Sequence, residues 1–560
     1  MSAETLAETI IINGRVLTMD DAAPQAQAVA LSGGRVYAVG TGEEIAALAA
    51  PDCRVIDAAG GTVLPGLIES HMHLFPGGAE LAHLQLLGVS GMEALTRAIR
   101  DYAAAHPEAR VLMAQGADYA MLDRPVTRHD LDAAMPDRPF AMFAADHHTA
   151  WANTAALRSA GLLEGRRLGP GNEIVMGADG LAAGELREFE AFAPIKALAG
   201  ESRVSLGLTS GLDPDPSATE AERAHDRAIL ERGLAHCVRH GFTSLVNMDG
   251  NRYTLELLAT LRDAGRLPAR VRVPFHFRNF RALADLEEAS ALQRDYTDDW
   301  LASGFVKMFM DGVIDSGTAV MVNDYPDQPG WRGEPLFAPE RFAEICAEID
   351  RRGLQIAVHA IGDGAVRRTL DGYAAARAAN GARDARHRIE HIELLHPDDL
   401  SRFAELGVIA SVQPCHVPGA MDFGAEPALT RIGRARWRDA FPAARLRDAG
   451  VVLAFASDWP VADLNPLRCI QAAVLRAPYD ESCADQRVTL REALAAYTIG
   501  GAYAEHTEDR KGMLKPGYLA DVTILSGDIE AVSAERISDL HVAHTICGGR
   551  VVYSAERDAA

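Results

Sequence analysis

From Val63 onward the sequence alternates short apolar, β-branched runs with stretches of helical composition, and this alternation narrows the fold more than any other feature. One strand-like run ends at His73, and others lie at 243–248, 270–275, 305–310, 355–360, 388–393, 408–413 and 452–457. Helix-like segments such as 254–264 and 339–352 separate them. Eight strands with intervening helices predict an α/β chain of the (β/α)8, TIM-barrel type. The count requires 75–241 to be a large insertion after the first barrel strand. That insertion has strand-like runs of its own at 110–115 and 139–144 and polar, turn-rich stretches at 166–172 and 213–219, and it reads as a cap over the barrel mouth. Taking 110–115 as the second barrel strand instead would shift every later assignment.

Both ends of the chain are β-rich. Near the start, runs at 9–12 and 15–19 flank Asn13-Gly14, and runs at 27–31 and 35–39 flank Gly33-Gly34; near the end, runs at 545–547 and 550–553 flank Gly548-Gly549. Such dipeptides between β-rich runs signal hairpins. The two ends therefore predict one small β-sandwich, residues 1–62 with 510–560, beside a barrel domain at 63–509.

Catalytic groups on this architecture sit where strands end, on the C-terminal face. The first strand runs through Val63 to His71-Met72-His73, and the two-residue period of a strand puts both imidazoles on one side, as two nitrogen ligands of one metal ion require. Lys307 stands among apolar neighbours in strand four, where an unpaired ammonium is costly to bury. His359 ends strand five, Glu390-His391 lies in strand six, and Asp458 follows strand eight. Each has a bland reading alone, as a core histidine, a buried ion pair or a helix cap; chance rarely supplies all six together.

Charge and cysteine content exclude some functions. Acidic residues outnumber basic ones 78 to 55, a net charge of −23 that argues against general affinity for nucleic acid or anionic membranes. No apolar run reaches the ~18 residues of a membrane span, and residues 1–8 lack the basic and apolar regions of a secretory signal. The seven cysteines, Cys53, Cys237, Cys346, Cys415, Cys469, Cys483 and Cys547, are scattered and odd in number, as expected for reduced thiols in a cytoplasmic protein. Gly60-Gly61 and Gly77-Gly78 lack the context of a phosphate loop.

The motifs Pro65-Gly66-Leu67-Ile68-Glu69-Ser70-His71-Met72-His73, Val306-Lys307-Met308-Phe309-Met310-Asp311-Gly312, His359-Ala360-Ile361-Gly362-Asp363, Glu390-His391, Ser457-Asp458-Trp459-Pro460 and Lys515-Pro516-Gly517-Tyr518-Leu519-Ala520-Asp521 span nearly the whole chain. Through them the sequence resembles the amidohydrolase superfamily of metal-dependent hydrolases, in the branch that includes N-substituted formamide deformylases. The resemblance implies one or two divalent ions of the zinc type, bridged by a carboxylated Lys307. His71, His73, the Lys307 carbamate and Asp458 would hold one ion; the carbamate, His359 and His391 would hold the other. It further implies hydrolysis of an amide-type carbon–nitrogen bond, in an N-substituted formamide, N-acyl amine or N-acyl amino acid, by a metal-activated water with Asp458 handling the proton. Where the family usually has Asp, two residues before His71, this chain has Glu69.

The segment Asp146 to Asn153 resembles one near the family's pocket and nominates His148, as a catalytic group at the substrate carbonyl, and Trp151 beside it. Glu185, Gln413 and Trp459 are further candidate substrate contacts, with His416 near Gln413. A small-molecule substrate and a homodimer complete the expectation. Two other functions compete. A mononuclear deaminase of the same superfamily typically has a glutamate three residues past the strand-five histidine, where this chain has Gly362; a silent regulatory barrel would be expected to have lost ligands, and none of the six is missing.

Overall fold

The computed structural model describes residues 6–144, 147, 149–169, 172–421 and 423–558. The chain forms two compact units, one comprising the segment through Leu74, Ser210–Asp213 and Leu234 onward, the other Phe75–Thr209 with Pro214–Gly233.

In the first unit six parallel strands follow one another in chain order: Phe275–His276, Phe305–Phe309, Gln355–Ala360, Arg388–His391, Ile409–Val412 and Leu453–Phe455. A second parallel set runs Leu67–Met72, Phe242–Asn247, Arg270–Arg272 and Leu301–Ala302. Gln355–Ala360 and Leu453–Phe455 are buried along their whole length, which is why Ile356-Ala357-Val358 and Leu453-Ala454-Phe455 read as continuous apolar runs rather than alternating ones. Amphipathic helices lie between successive strands, among them Pro339–Arg351, which opens on a proline with no amide hydrogen to satisfy. This is an α/β arrangement of the TIM-barrel type.

The structure splits two segments that read as single strands. The run expected at 270–275 breaks before Pro274, and its halves Arg270–Arg272 and Phe275–His276 join different sheets; proline has no N–H to continue a ladder. The run from Val63 breaks at Gly66. Thr62–Pro65 pairs with Arg15–Leu17 and Val522–Leu525, while Leu67–Met72 pairs with Phe242–Asn247.

Both chain ends contribute to one six-stranded sheet, in the order Arg550–Ser554, Val542–Cys547, Val522–Leu525, Thr62–Pro65, Arg15–Leu17, Gln25–Ala26. A four-stranded sheet holds Arg35–Gly40, Ala28–Ser32, Ala7–Ile12 and Ala49–Asp57. Ile11, Val29 and Ile56 from the latter share a buried apolar cluster with Val16, Val63, Ile524 and Ile546 from the former. Gly33-Gly34 and Gly548-Gly549 join antiparallel partners as expected. Asn13-Gly14 does not: the strands on either side of it enter different sheets, so the turn redirects the chain instead of closing a hairpin.

The second unit has its own six-stranded sheet, Glu173–Met176, Ala182–Arg187, Thr149–Ala152, Phe140–Ala144, Leu112–Ala117 and Leu84–Gln85 in spatial order. The run near 110–115 therefore belongs here, beside Phe140–Ala144, and not among the parallel strands of the first unit. Among the described residues, no helix is long and apolar enough to cross a membrane.

Candidate active site

The ends of the parallel strands bring His71, His391 and Asp458 together, with one ligand atom from each lying within 4.8 Å of the others. His73 joins them. Asp458 Oδ1 lies 3.3 Å from His71 Nε2 and 3.1 Å from His73 Nε2, while Asp458 Oδ2 is 4.0 Å from His391 Nδ1. The His359 ring packs 4.6 Å from that of His391. All five are buried, as is Lys307. His391 and Asp458 have positive φ, 77° and 62°, a conformation that costs non-glycine residues about 1–3 kcal/mol and clusters at functional sites. Backbone bonds from Asp458 N to His71 O, 2.9 Å, and from His73 N to Trp459 O, 2.7 Å, tie the first strand's end to the segment after the last.

Two carboxylates fix the histidine tautomers. Glu390 Oε2 lies 2.7 Å from His71 Nδ1, and Asp249 Oδ1 lies 2.5 Å from His73 Nδ1. A carboxylate only accepts, so each Nδ1 carries the proton and donates it, and each Nε2 is left to face Asp458. Glu390 is itself held by Arg388, which donates to both its oxygens at 2.9 and 3.0 Å, to Ser70 O at 2.6 Å and to Ser411 Oγ at 3.0 Å.

Two imidazole lone pairs and a carboxylate oxygen turned toward one point repel each other unless a cation or proton lies among them. The titration behaviour expresses this demand. Burial acts to deprotonate His73, but Asp249 and Asp458 outweigh it, and its pKa is pushed up to about 10. Burial, with the Lys307 ammonium, pulls His71 down to about 4; burial, with His359 and His71, holds His391 well below the usual imidazole range. Burial works to raise the Asp458 carboxyl, yet His71, His73 and His391 hold it well below the carboxylate range. Lys307 is pulled down to about 8 by burial, and its Nζ has no hydrogen-bond partner among the described residues. A donor set of imidazoles and a carboxylate around an unsatisfied focus fits a divalent cation of the zinc type.

The other candidates separate. Gln413 Oε1 lies 3.0 Å from His391 Nδ1, so its oxygen orients that histidine. His416 stacks parallel to His391 at 6.1 Å and lies 3.7 Å from Glu393. Trp459 is buried and stacks on His236 at 5.2 Å. Glu69 supports the site through the backbone: its Oε1 accepts from Ser457 N at 2.8 Å and His71 N at 3.4 Å, clamping two backbones, and burial lifts its carboxyl well above the usual range. Trp151 and Glu185 face each other across two antiparallel strands of the second unit; Trp151 packs on Tyr119, and Glu185 accepts from Arg187 at 2.6 Å. His148 lies outside the described residues.

Sequence reasoning left Asp249, Arg388 and the role of Glu390 unassigned. Position offered a signal for Asp249, two residues beyond the strand Phe242–Asn247 and so at the same end as the ligands. Asp311 accepts from the amides of Val320, Ile361 and Gly362 at 2.9–3.1 Å and lies 3.2 Å from His359 Nδ1, holding the loop after that histidine.

Comparison with known proteins places this geometry in a family context. A model of the amidohydrolase family matches residues 54–553. The chain is 30% identical to Protein LONG AFTER FAR-RED 3 of Arabidopsis thaliana, covering 98% of this chain and 92% of that protein. It is 27% identical to an N-substituted formamide deformylase of Arthrobacter pascens over 98% of both chains. Among solved structures, an uncharacterised metal-dependent hydrolase from Pyrococcus furiosus aligns with a TM-score of 0.70 at 28% identity, covering 92% of this chain and 98% of that one.

Proposed function

Because the chain belongs to the amidohydrolase family, we propose that it is a metal-dependent hydrolase that cleaves an amide-type carbon–nitrogen bond with water. The observation that carries this reading is the convergence of His71 Nε2 and His73 Nε2 on Asp458 Oδ1 at 3.3 and 3.1 Å. His71, His73, Lys307, His359, His391 and Asp458 would hold one or two divalent ions, zinc being the ion that best suits the donors. Such an ion supplies Lewis acidity, which acidifies water and polarises a carbonyl.

The chain's own residues do the rest. Glu390 and Asp249 present the Nε2 atoms of His71 and His73 to the focus. Asp458, kept anionic by the imidazoles around it, takes the proton of the attacking water and returns it to the departing nitrogen. Lys307 fits a carbamate: its buried amine, with a pKa near 8, is neutral in an appreciable fraction, adds carbon dioxide and loses a proton. That would exchange a costly buried cation for an anion able to serve as a metal ligand.

Metal analysis of the purified protein, with release of formate, carboxylate or amine followed on N-substituted formamides, N-acyl amino acids and cyclic amides, tests the proposal. Asp458→Asn is expected to retain metal on the remaining donors and lower kcat by about 10²–10⁴-fold, the usual contribution of a positioned proton carrier. Turnover near wild type in that variant, or metal-loaded protein inert on every amide, would overturn it.

A further inference from the structure

Arg278 follows the strand Phe275–His276, and strand register sets it at the level of the candidate site. His276 lies beside Lys307, and Phe309, two residues further on, lies beside His359. The Phe309 ring links these groups: Lys307 Nζ is 4.7 Å from its centre, the His359 ring 4.8 Å, the His276 ring 5.6 Å and the Arg278 guanidinium carbon 6.0 Å. A cationic fork thus shares one aromatic ring with two of the proposed metal-binding side chains.

Among the described residues no carboxylate answers the charge on this fork. Arg278 is half-buried, burial pulls its pKa down, and among the described residues no carboxylate opposes that shift. Two other arginines of this unit differ. Arg281, three residues on, donates to Gly211 O at 2.6 Å and lies 3.9 Å from Asp285; Arg252 is gripped by Glu288 at 2.7 Å and Asp295 at 3.0 Å. Taking a guanidinium partly out of water without an anion is unfavourable. The planar fork matches a carboxylate in a two-bond geometry, so a ligand anion would supply the missing partner.

We infer that Arg278 binds a carboxylate of the substrate, so that the amide presented to the site belongs to the N-acyl amino acid class and not to neutral formamides. The inference rests on the hydrolase reading for which bond is cut, not for what is bound. Attachment at two points, the acyl carbonyl at the metal site and the carboxylate on Arg278, fixes the amide between them, and the Phe309 ring offers an apolar face along the way.

Calorimetric binding of N-acetylphenylalanine and of its neutral carboxamide to metal-loaded protein tests this. Wild type is expected to prefer the acid by about tenfold or more, as a charge-assisted pair provides. Arg278→Met should weaken acid binding by about 10–100-fold and leave the carboxamide unchanged, with Arg278→Lys retaining part of the preference. No binding of the acid at millimolar concentration, equal binding of acid and carboxamide by wild type, or an undiminished preference in Arg278→Met overturns the inference. Turnover is scored separately. Selective, Arg278-dependent binding of the acid with no N-acyl compound hydrolysed would leave the carboxylate site standing and overturn the hydrolase reading alone.

Discussion

Glu390 shows how a residue that need not touch a metal governs one. Its carboxylate orients His71 through Nδ1 at 2.7 Å while Arg388, wholly buried, neutralises it through two bonds. Burial works to raise the Glu390 carboxyl, but Arg388 and His71 hold it well below the usual carboxylate range, so it stays a pure acceptor. His73 is held by Asp249, whose second oxygen has no hydrogen-bond partner among the described residues. Glu390→Gln is expected to weaken zinc affinity by about 10–100-fold, the usual effect of removing a carboxylate behind a histidine ligand, measured by competition with a chromophoric chelator. Since the change also strands the Arg388 charge, Asp249→Asn serves as the second variant, with a loss of the same order and no arginine left unpaired by it. Unaltered affinity in both would mean that the histidines are oriented by the backbone alone.

A strand places its ligands only as well as its neighbours fix its register, and at Gly66 the tolerance is small. A Cβ there would lie 2.1 Å from Thr243 Oγ1, 2.5 Å from Thr243 Cγ2 and 2.8 Å from Thr243 Cβ, so Gly66→Ala must push Leu67–Met72 off Phe242–Asn247. Overpacking of this kind costs about 1–3 kcal/mol, and His71 would move with its strand. Thr243 Oγ1 makes no hydrogen bond among the described residues, so adding Thr243→Ala, which removes the two nearest atoms and leaves the 2.8 Å contact to Cβ, should restore part of the loss; a double-mutant cycle in urea reads the coupling, and additive effects would refute the clash. This close approach also explains what was legible. The six candidate ligands could be nominated because residue type within or just after a strand is local information, and most of the parallel strands were visible because short apolar and β-branched runs recur between helix-like segments. The strand breaks at Gly66 and Pro274 depend on which sheet each half joins. The tautomers of His71 and His73 depend on partners 319 and 176 residues away, and Arg278 stands out only once the partners of other arginines such as Arg281 are known. None of these is a property of a short window.

Over the whole molecule, the histidines make stability dependent on acid in a direction that can be worked out. Burial, with His240 beside it, pulls His236 down to about 4 from an ordinary 6.5. Between those values the unfolded chain binds a proton that the folded chain refuses, so stability is intact above pH 6.5 and declines as pH falls toward 4. His71, at about 4 for burial and Lys307, acts in the same sense in the metal-free protein. His73, raised to about 10, acts in the opposite sense but only between 6.5 and 10, where stability falls as pH rises; below 6.5 both states are protonated and it adds no slope. The metal-free protein should therefore lose stability between pH 7 and 5, before carboxylates begin to titrate in number. Because His236 is partly exposed, stacks on Trp459 and has no acidic hydrogen-bond partner among the described residues, it can be replaced without removing a proposed ligand. His236→Gln should reduce the loss between pH 7 and 5 by about 1–2 kcal/mol after allowance for solvent screening, read from urea midpoints at the two pH values with the slope of the transition unchanged. An identical loss in wild type and variant would show that His236 takes up its proton in the folded state, and that the packing of its ring against Trp459 does not exclude the charge.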